Sequence, residues 1–220
     1  MECGEGNAAS SSTAMCNSPM GLINAGFPRE ATAEAFIVAS LIHHNFCRYA
    51  ASATAAAVAE AMNPNSSVKS ILEASYKYLP KESAVEYLKW YNKVMELLEK
   101  SKHDYKTFRT LTHKTLMKQG WVLCDSRDTV PSALALFALA KGDPVKTIIF
   151  GANFGRDTDT IACMAGGIAG AFAGIEGFPK EWVEKVKKSS LRDQDDLAKK
   201  LTALIVKRLE ARKKQAALFE

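Results

Sequence analysis

The sequence has few of the features that mark a secreted, disulfide-rich or zinc-binding protein. Its five cysteines are odd in number and scattered, and no Cys-x-x-Cys pair occurs among them. A disulfide framework and a zinc site are therefore disfavoured, and a reduced, cytoplasmic compartment is expected. The chain opens with neither the basic start nor the apolar run of a secretory signal peptide. The cysteines are Cys3, Cys16, Cys47, Cys124 and Cys163.

Alternation of apolar and polar residues is also rare, and runs of β-branched residues are few. Both patterns are typical of strands, so their scarcity, together with abundant alanine, predicts an all-α protein. A length of 220 residues is enough to bury a sizeable core. We therefore expect residues 1–220 to form a single all-helical domain.

Turn-forming residues divide the chain into segments. Residues 1–19, rich in glycine and serine, are expected to form a loop, as are residues 120–129. Pro131 suits the first turn of a helix, and Ser67 could cap another. Residues 147–150 could be helix or a short strand, because periodicity cannot settle so brief a run. Besides the helix discussed below, the expected helical segments are 29–62 (one helix or two), 67–78, 83–101, 104–119, 131–141, 145–153, 180–188 and 193–216.

Positive charge is concentrated near the C-terminus. Residues 185–214 carry 11 Lys or Arg against 4 Asp or Glu, a net charge of +7, whereas the whole chain carries +5. A basic helix can bind nucleic acid, but no aromatic stacking platform accompanies this charge. Apolar residues at helical spacing instead predict an amphipathic helix with a solvated basic face, and no nucleic-acid partner is expected. That stripe is Leu197, Leu201, Leu204, Ile205 and Leu209.

The most informative stretch is residues 155–160, a Gly-Arg turn followed by Asp-Thr-Asp-Thr. Two carboxylates and two hydroxyls in four positions form a cluster of hard oxygen ligands, which suit Mg²⁺ or Ca²⁺ rather than zinc. Asp and Thr are also favoured at helix N-caps and first turns, where they accept bonds from free backbone N–H groups. A helix cap accounts for one Asp or Thr but does not require all four residues. The residues alone therefore leave both a metal site and a capping role open.

The helix expected after this cluster has very small residues at every fourth position, Ala162, Gly166, Gly170 and Gly174. These positions share one helix face, and glycine in a helix costs roughly 1 kcal/mol relative to alanine. Their recurrence indicates that another helix packs closely on this face. Small-xxx-small spacing also occurs in membrane helices, but the uncharged run 160–175 is shorter than the roughly 20 residues that a span needs.

Residues 155–171 resemble the C-terminal signature of the ADP-ribosylglycohydrolases, which reads approximately Gly-Gly-Asp-Thr-Asp-Thr-Ile-Ala followed by Ala-Gly-Ala-Ile-Ala-Gly-Ala. Here Arg156 stands in place of the second glycine. In that family the first Asp, the second Asp and the last Thr bind magnesium. The resemblance therefore implies that Asp157, Asp159 and Thr160 are metal ligands, in a complete site that holds two Mg²⁺ ions.

Other segments are similar to the same family, and the resemblance extends from about residue 4 to about residue 188. Residues 13–26 look like its Ala-Ala-Met-Arg-x-x-Pro-Ile-Gly-Leu segment, with Cys16 in place of the arginine. Residues 40–43 look like its Ser-Leu-Thr-His, and residues 131–143 resemble the helix before the signature. Family members also carry an acidic Thr-Asp-Asp-Thr-like motif earlier in their chains, and this sequence has none.

In the family, that acidic motif supplies the remaining metal ligands, and the catalytic acid is placed in the N-terminal half of the protein. The only Asp-Asp pair here, Asp195-Asp196, begins a basic helix, where capping is expected. The resemblance thus implies a compact orthogonal multi-helix bundle of the ADP-ribosylglycohydrolase type whose N-terminal portion is missing, through truncation, a split gene or cleavage. No catalytic residue is assigned within the chain.

Several other polar residues are candidates for the substrate site. Residues 10–13 could cradle a diphosphate through backbone N–H groups, as Gly/Ser loops at helix starts do, or could equally be a flexible terminus. Residues 125–129 are interpreted as a helix cap rather than as a substrate loop. His44, His103 and His113 are interpreted as structural. The resemblance implies that His43, the histidine of the Ser-Leu-x-His segment, lines the site. The substrate-binding candidates are Ser11, Ser12, Thr13, His43 and Arg156.

The activity that the resemblance implies is metal-assisted hydrolysis of a ribosyl glycosidic bond, in which two Mg²⁺ ions orient ribose hydroxyls and a water. The substrate would be ADP-ribose on a protein side chain or a related ADP-ribosyl compound. Two other classes stay open. One is a module that binds ADP-ribose without chemistry, and the other is a helical subunit that completes a site with a separate N-terminal chain or a second copy. No membrane partner is expected.

Overall fold

The computed structural model describes residues 8–219, and within that range the backbone forms helices and turns but no strands. The all-α fold class predicted from the sequence is confirmed. Two 3-10 turns, Met117–Gln119 and Ile175–Gly177, accompany the α-helices. The α-helices are α1 (Ser12–Cys16), α2 (Ser18–Leu22), α3 (Pro28–Ala39), α4 (Phe46–Ala61), α5 (Val68–Lys77), α6 (Val85–Lys100), α7 (Tyr105–Leu116), α8 (Ser126–Leu139), α9 (Pro144–Ala152), α10 (Thr158–Ala173), α11 (Lys180–Ser189) and α12 (Gln194–Ala216).

Helix α4 lies at the centre of the core. Fourteen of its 16 residues are buried, and it contacts α1, α2, α3, α5, α8 and α10. Alanine dominates its sequence, and small side chains at a helix contact shorten the distance between the axes. At Gly21 of α2, an added Cβ atom would lie 2.5 Å from Cβ of Val58. The alanine-rich core therefore depends on close backbone contact as much as on large side chains.

The N-terminal segment differs from the expectation for residues 1–19. Instead of a continuous loop, the described part contains α1 and the first two residues of α2, Ser18 and Pro19. Pro19 in the first turn of α2 and the burial of Thr13 and Ala14 in α1 stabilise these short helices. Helices of five residues are formed by tertiary packing rather than by intrinsic propensity, so composition did not predict them. Residues 1–7 lie outside the described range.

Helix α8 begins five residues earlier than Pro131 predicts. Its N-cap is Asp125, whose Oδ1 accepts a hydrogen bond of 2.9 Å from the backbone N–H of Arg127. The prediction of a loop over 120–129 is therefore wrong for residues 126–129, which belong to α8. Of residues 125–129, interpreted from the sequence as a helix cap, only Asp125 is the cap. Pro131 lies inside the helix, where it removes one backbone hydrogen bond. Burial of most of α8 against α4, α6 and α10 offsets that loss.

Helices α9 and α10 approach each other closely. Residues 147–150 lie inside α9, so the strand alternative is wrong. A Cβ atom at Gly151 would lie 2.7 Å from Cα of Ala162, and one at Gly166 would lie 3.2 Å from Cγ1 of Ile148. The close packing predicted for the small-residue face of α10 is confirmed for its first half.

The second half of that face has different surroundings. Gly170 lies opposite Phe178, and an added Cβ atom would be 3.7 Å from the ring, an ordinary contact distance. Gly174 lies beyond the end of α10 with a φ of 71°, a left-handed conformation that favours glycine. Gly174 therefore ends the helix rather than packing against a neighbouring one.

Helices α11 and α12 lie on the outside of the molecule, and neither contains a buried residue. Of the apolar stripe predicted for α12, Leu201 and Ile205 are half-buried and the other three residues are exposed. Two arginines hold this helix to the body, because Arg208 and Arg212 each donate a hydrogen bond of 3.0 Å to Oδ1 of Asn24. The attachment of α12 is thus mainly polar.

Side-chain caps mark several helix starts. Ser67 caps α5, as predicted. The cap of α12 is Asp193, which accepts bonds of 2.9 and 3.0 Å from the N–H groups of Asp195 and Asp196. The Asp-Asp pair therefore lies in the first turn rather than at the cap, where its charge still favours the helix dipole. Across residues 8–219, none of the helices combines the length and apolarity needed to cross a membrane.

Candidate functional site

A sharp turn joins α9 to α10 and carries the acidic cluster. Gly155 has a φ of 98° and Arg156 a φ of 61°, so both adopt the left-handed conformation, which is uncommon for residues other than glycine. An added Cβ atom at Gly155 would lie 2.8 Å from Cε1 of His113, so glycine is required there for space as well. The turn places Asp157 at the N-cap of α10, and the other two predicted metal ligands follow in its first turn.

Asp157 accepts hydrogen bonds from two directions. Thr160 donates from Oγ1 to Oδ1 at 3.0 Å, and Ser11, just before α1, donates from Oγ to Oδ2 at 3.4 Å. Thr160 is buried, whereas Asp159 is exposed. The structure therefore brings together the three predicted metal ligands and one of the predicted substrate-binding residues at a single corner, which we call the acidic corner.

Burial raises the pKa of Asp157, and the charge of Asp159 raises it further, while the hydrogen bond from Thr160 opposes the shift. Two neighbouring carboxylates disfavour each other's ionisation, and a divalent cation between them reverses that effect. Two carboxylates and a hydroxyl are donors that suit Mg²⁺. Within residues 8–219, however, no three His, Cys, Asp or Glu side chains converge on one point. The acidic corner thus fits part of a magnesium site, with fewer ligands than two ions require.

The serine-rich segment before α1 packs against His43 beside the acidic corner. Ser10 Oγ lies 3.1 Å from Nε2 of His43, and Thr13 Oγ1 lies 2.9 Å from Nδ1. Burial lowers the pKa of His43, which favours a neutral ring with one donor and one acceptor nitrogen. The backbone N–H of Ser11 donates to the carbonyl of Cys124 at 2.7 Å. These contacts rule out the flexible-terminus interpretation of this segment.

The hydroxyl groups of this segment have distinct partners. Ser11 reaches Asp157, whereas Thr13 reaches His43. Ser12 is half-buried and accepts a hydrogen bond of 3.2 Å from Ser10 Oγ. Because the amide of Ser11 is already bonded to the carbonyl of Cys124, this segment does not present a full set of free backbone N–H groups. The assignment of these residues to substrate binding stays a prediction.

Arg156 points into the protein and pairs with a residue that the sequence did not single out. Its Nε donates a hydrogen bond to Oδ2 of Asp128 in α8, and the two side chains are 9% and 0% exposed. Ser132 donates to the other carboxylate oxygen of Asp128 at 3.2 Å. Burial raises the pKa of Asp128, and the guanidinium group of Arg156 opposes that shift. The pair fastens the turn to α8, and a contact between Arg156 and substrate stays a prediction.

Sequence reasoning missed Asp128, which it grouped with a helix cap. The available signal was Arg156 itself, because an arginine stands where the family's signature has glycine. A residue other than glycine in a left-handed turn persists only when its surroundings hold it there. A buried carboxylate is the partner that an arginine in such a position requires.

A second arginine and a histidine hold the chain just before the turn. Arg109 Nε donates a hydrogen bond of 2.6 Å to the carbonyl of Phe154. The ring of His113 meets that of Phe154 edge-on, with 5.0 Å between centroids. Burial lowers the pKa of His113, and the charges of Arg109 and Arg156 lower it further. These contacts support a structural role for His113.

Comparison with known proteins identifies the family. The sequence profile of the ADP-ribosylglycohydrolases matches residues 1–214, which is nearly the whole chain. The chain belongs to the ADP-ribosylglycohydrolase family. The resemblance carried by the acidic signature is therefore confirmed.

Individual relatives of this chain are similar over shorter segments. ADP-ribosylhydrolase ARH3 of Danio rerio is 48% identical over 56 residues, which make up 26% of this chain and 15% of that protein. ADP-ribosylhydrolase ARH3 of Homo sapiens is 41% identical over 56 residues, again 26% of this chain and 15% of that protein. ADP-ribosylarginine hydrolase Tri1 of Pseudomonas putida is 51% identical over 39 residues. These residues make up 18% of this chain and 10% of Tri1, so the matches span a small part of each relative.

Proposed function

We propose that this chain forms part of a magnesium-dependent hydrolase that cleaves a ribosyl glycosidic bond in ADP-ribosylated substrates. The observation that carries the proposal is the acidic corner, where Asp157 accepts hydrogen bonds from Thr160 and Ser11 and lies beside Asp159. Membership of the ADP-ribosylglycohydrolase family supports the same reaction class.

The acidic corner supplies the ligand types that this reaction needs. Asp157 and Asp159 would hold Mg²⁺ through negative charge, and Thr160 would add a neutral oxygen. When bound, the metal supplies electrostatic stabilisation as the bond at the anomeric carbon breaks. Ser11 orients the second oxygen of Asp157 from the opposite side, so the carboxylate is held in place before any metal binds.

Neighbouring residues suit a ribosyl diphosphate. We assign Ser11, Ser12, Thr13 and His43 to substrate binding, because their hydroxyl and neutral imidazole groups lie together beside the acidic corner and add no charge to it. We also assign Arg156, whose Nε is taken by Asp128 and whose guanidinium group carries further N–H donors. We assign no catalytic acid or base.

Two metal ions need more ligands than the acidic corner provides. We therefore propose that further ligands come from another polypeptide, or from a second copy of this chain whose residues 157–160 meet the first set. Residues 1–220 would then be the C-terminal part of a larger ADP-ribosylglycohydrolase domain. The chain alone would hydrolyse poorly, because a loss of several kcal/mol of transition-state stabilisation lowers the rate by orders of magnitude.

The same shortage of carboxylates favours one alternative, a module that binds ADP-ribose without hydrolysing it. In residues 8–219, no third carboxylate joins the pair at the acidic corner. For either function we propose a cytoplasmic location, because free thiols are typical of a reducing compartment. The free cysteines in the described range are Cys16, Cys47, Cys124 and Cys163.

The test is release of ADP-ribose from an ADP-ribosylated peptide, with and without Mg²⁺. The chain is assayed alone and mixed with a polypeptide that carries a Thr-Asp-Asp-Thr-like motif. We expect release from the mixture to be at least about a hundredfold faster than from the chain alone. Asp157→Ala should abolish it, whereas Asp143→Ala, at the cap of α9, should not. Binding of ADP-ribose without release would favour the module, and neither binding nor release would contradict the proposal.

A further inference from the structure

Two exposed cysteines lie where α1 meets α10, next to the acidic corner. Cys16 is the last residue of α1, and Cys163 lies in α10 one turn after Asp159. Both are free thiols in the structure. The two helices contact each other directly.

Contacts on either side of Cys16 fix which part of α10 it faces. Just before it, Met15 Sδ lies 3.7 Å from Thr160 Oγ1. Just after it, Ser18 Oγ lies 3.1 Å from the position that a Cβ atom would occupy at Gly167. The stretch of α10 opposite Cys16 therefore lies between Thr160 and Gly167.

Cys163 falls within that stretch. Cys163 is exposed at the surface, but nearby atoms still shield its thiol in part from water, and this partial burial raises its pKa; charge on Cys16 and on Asp159 raises it further. The other free thiols in the described range have different surroundings. Cys47 is buried and accepts a hydrogen bond of 3.5 Å from Ser126, and Cys124 precedes the N-cap of α8.

We propose that Cys16 and Cys163 are a dithiol modification site, which a peroxide oxidises to a reversible disulfide that ties α1 to α10. The thiolate of one cysteine attacks the O–O bond of the peroxide and becomes a sulfenic acid, with loss of one water after proton transfer. The second thiol then attacks the sulfenic sulfur and expels a second water. In sum, two thiols and one hydrogen peroxide give one disulfide and two waters.

The disulfide would act on the acidic corner through α1. It would fix the contact that places Met15 against Thr160 and Ser11 against Asp157. That consequence rests on the proposed function, whereas formation of the bond does not. The two can therefore fail separately, and the experiment reads the bond itself.

The test is peptide mapping of the full chain after treatment with hydrogen peroxide. Trypsin places Cys16 in peptide 1–29 and Cys163 in peptide 157–180, while Cys124 falls in peptide 119–127. Peptide 1–29 also contains Cys3, so the experiment uses the Cys3→Ser background. Remaining thiols are alkylated in denaturant before digestion without reductant.

We expect peroxide to join peptides 1–29 and 157–180 in most monomeric chains, and dithiothreitol to separate them. Cys163→Ser should lower the yield of the joined peptide at least about tenfold, whereas Cys124→Ser should leave it unchanged. Circular dichroism of each variant before oxidation shows that it is folded. The proposal is overturned if peroxide leaves both peptides unlinked, joins peptide 1–29 to 119–127 instead, or links only separate chains.

Discussion

Asp128 and Arg156 form a buried ion pair that joins the first turn of α8 to the turn before α10. Arg156 holds a φ of 61°, and the residue that follows it is Asp157 of the acidic corner. The pair therefore links the position of a predicted metal ligand to a helix that packs against α4. The two residues are 28 positions apart in sequence, so a long-range ion pair helps to hold the geometry of a local motif.

Replacing Arg156 by alanine should leave the Asp128 carboxylate buried and unpaired. Removing one partner of a buried pair costs about 3–5 kcal/mol of the free energy of unfolding. Urea denaturation of the variant measures this loss. The control is Lys146→Ala, which breaks an exposed pair with Asp143 and should cost about 0–1 kcal/mol. Equal, small effects in the two variants would mean that the Asp128 pair does not stabilise the turn.

Gly151→Ala should disrupt the contact between α9 and α10. The added Cβ atom would lie 2.7 Å from backbone Cα of Ala162, which cannot move aside as a flexible side chain can. Overpacking of this kind costs about 1–3 kcal/mol. Gly170→Ala is the matched control, because its Cβ would meet Phe178 at 3.7 Å and helix propensity alone favours alanine by about 0.5–1 kcal/mol. Thermal melts in which both variants gain stability would refute the close packing at Gly151.

The stability of the fold should fall as pH decreases below about 6.5, in part through His43. Burial lowers the pKa of this ring in the folded state, so at pH values between the folded and unfolded pKa the unfolded chain binds more protons. The neutral ring therefore contributes its full stability above about pH 6.5 and loses it as pH falls through the folded pKa.

His43→Gln should reduce this pH dependence while keeping hydrogen-bonding capacity toward Ser10 and Thr13. The free energy of unfolding is measured by urea titration at several pH values between about 5 and 8. His113, whose pKa burial also lowers, still contributes in this variant, so the slope should decrease rather than vanish. His103→Gln is the control for loss of an exposed imidazole. An unchanged slope in His43→Gln would contradict the account of this histidine.

Deleting residues 191–220 should leave the rest of the fold intact, because α12 contains no buried residue. The deletion removes the ion pair of Arg208 with Glu34 and the stacking of Arg212 on Phe27 at 3.7 Å. Partly exposed contacts of these kinds are each worth about 0–1 kcal/mol. Circular dichroism and urea unfolding of the shortened chain measure the change. A shortened chain that no longer folds would show that α12 is part of the core.

Much of the helical architecture could be predicted from the sequence, because helix signals are local. Ser67 and the Gly/Pro breaks act within a few residues, and the face of α10 at Ala162 and Gly166 is a simple period of four. The short α1 and α2 could not be predicted, since tertiary burial forms them. The start of α8 predicted from Pro131 was wrong for the same reason, because the burial of α8 outweighs the backbone hydrogen bond that this proline removes.

The candidate site was predictable only where the residues are adjacent in sequence. The three predicted metal ligands belong to one continuous motif, and the structure places them at one corner. Asp128 could not be found this way, because its relation to Arg156 depends on how α8 and α10 pack. The contact of Ser11 with Asp157 likewise depends on the docking of α1, which composition did not predict.

The measurement that tests the account most directly is a calorimetric titration of Mg²⁺ into the 220-residue chain and its Asp159→Ala variant. Asp143→Ala, which removes an exposed carboxylate at the cap of α9, is the matched control. We predict weak magnesium binding to the unmodified chain, retained in Asp143→Ala and lost in Asp159→Ala. Equal magnesium affinity in the unmodified chain and in Asp159→Ala would contradict the assignment of the acidic corner as the metal site.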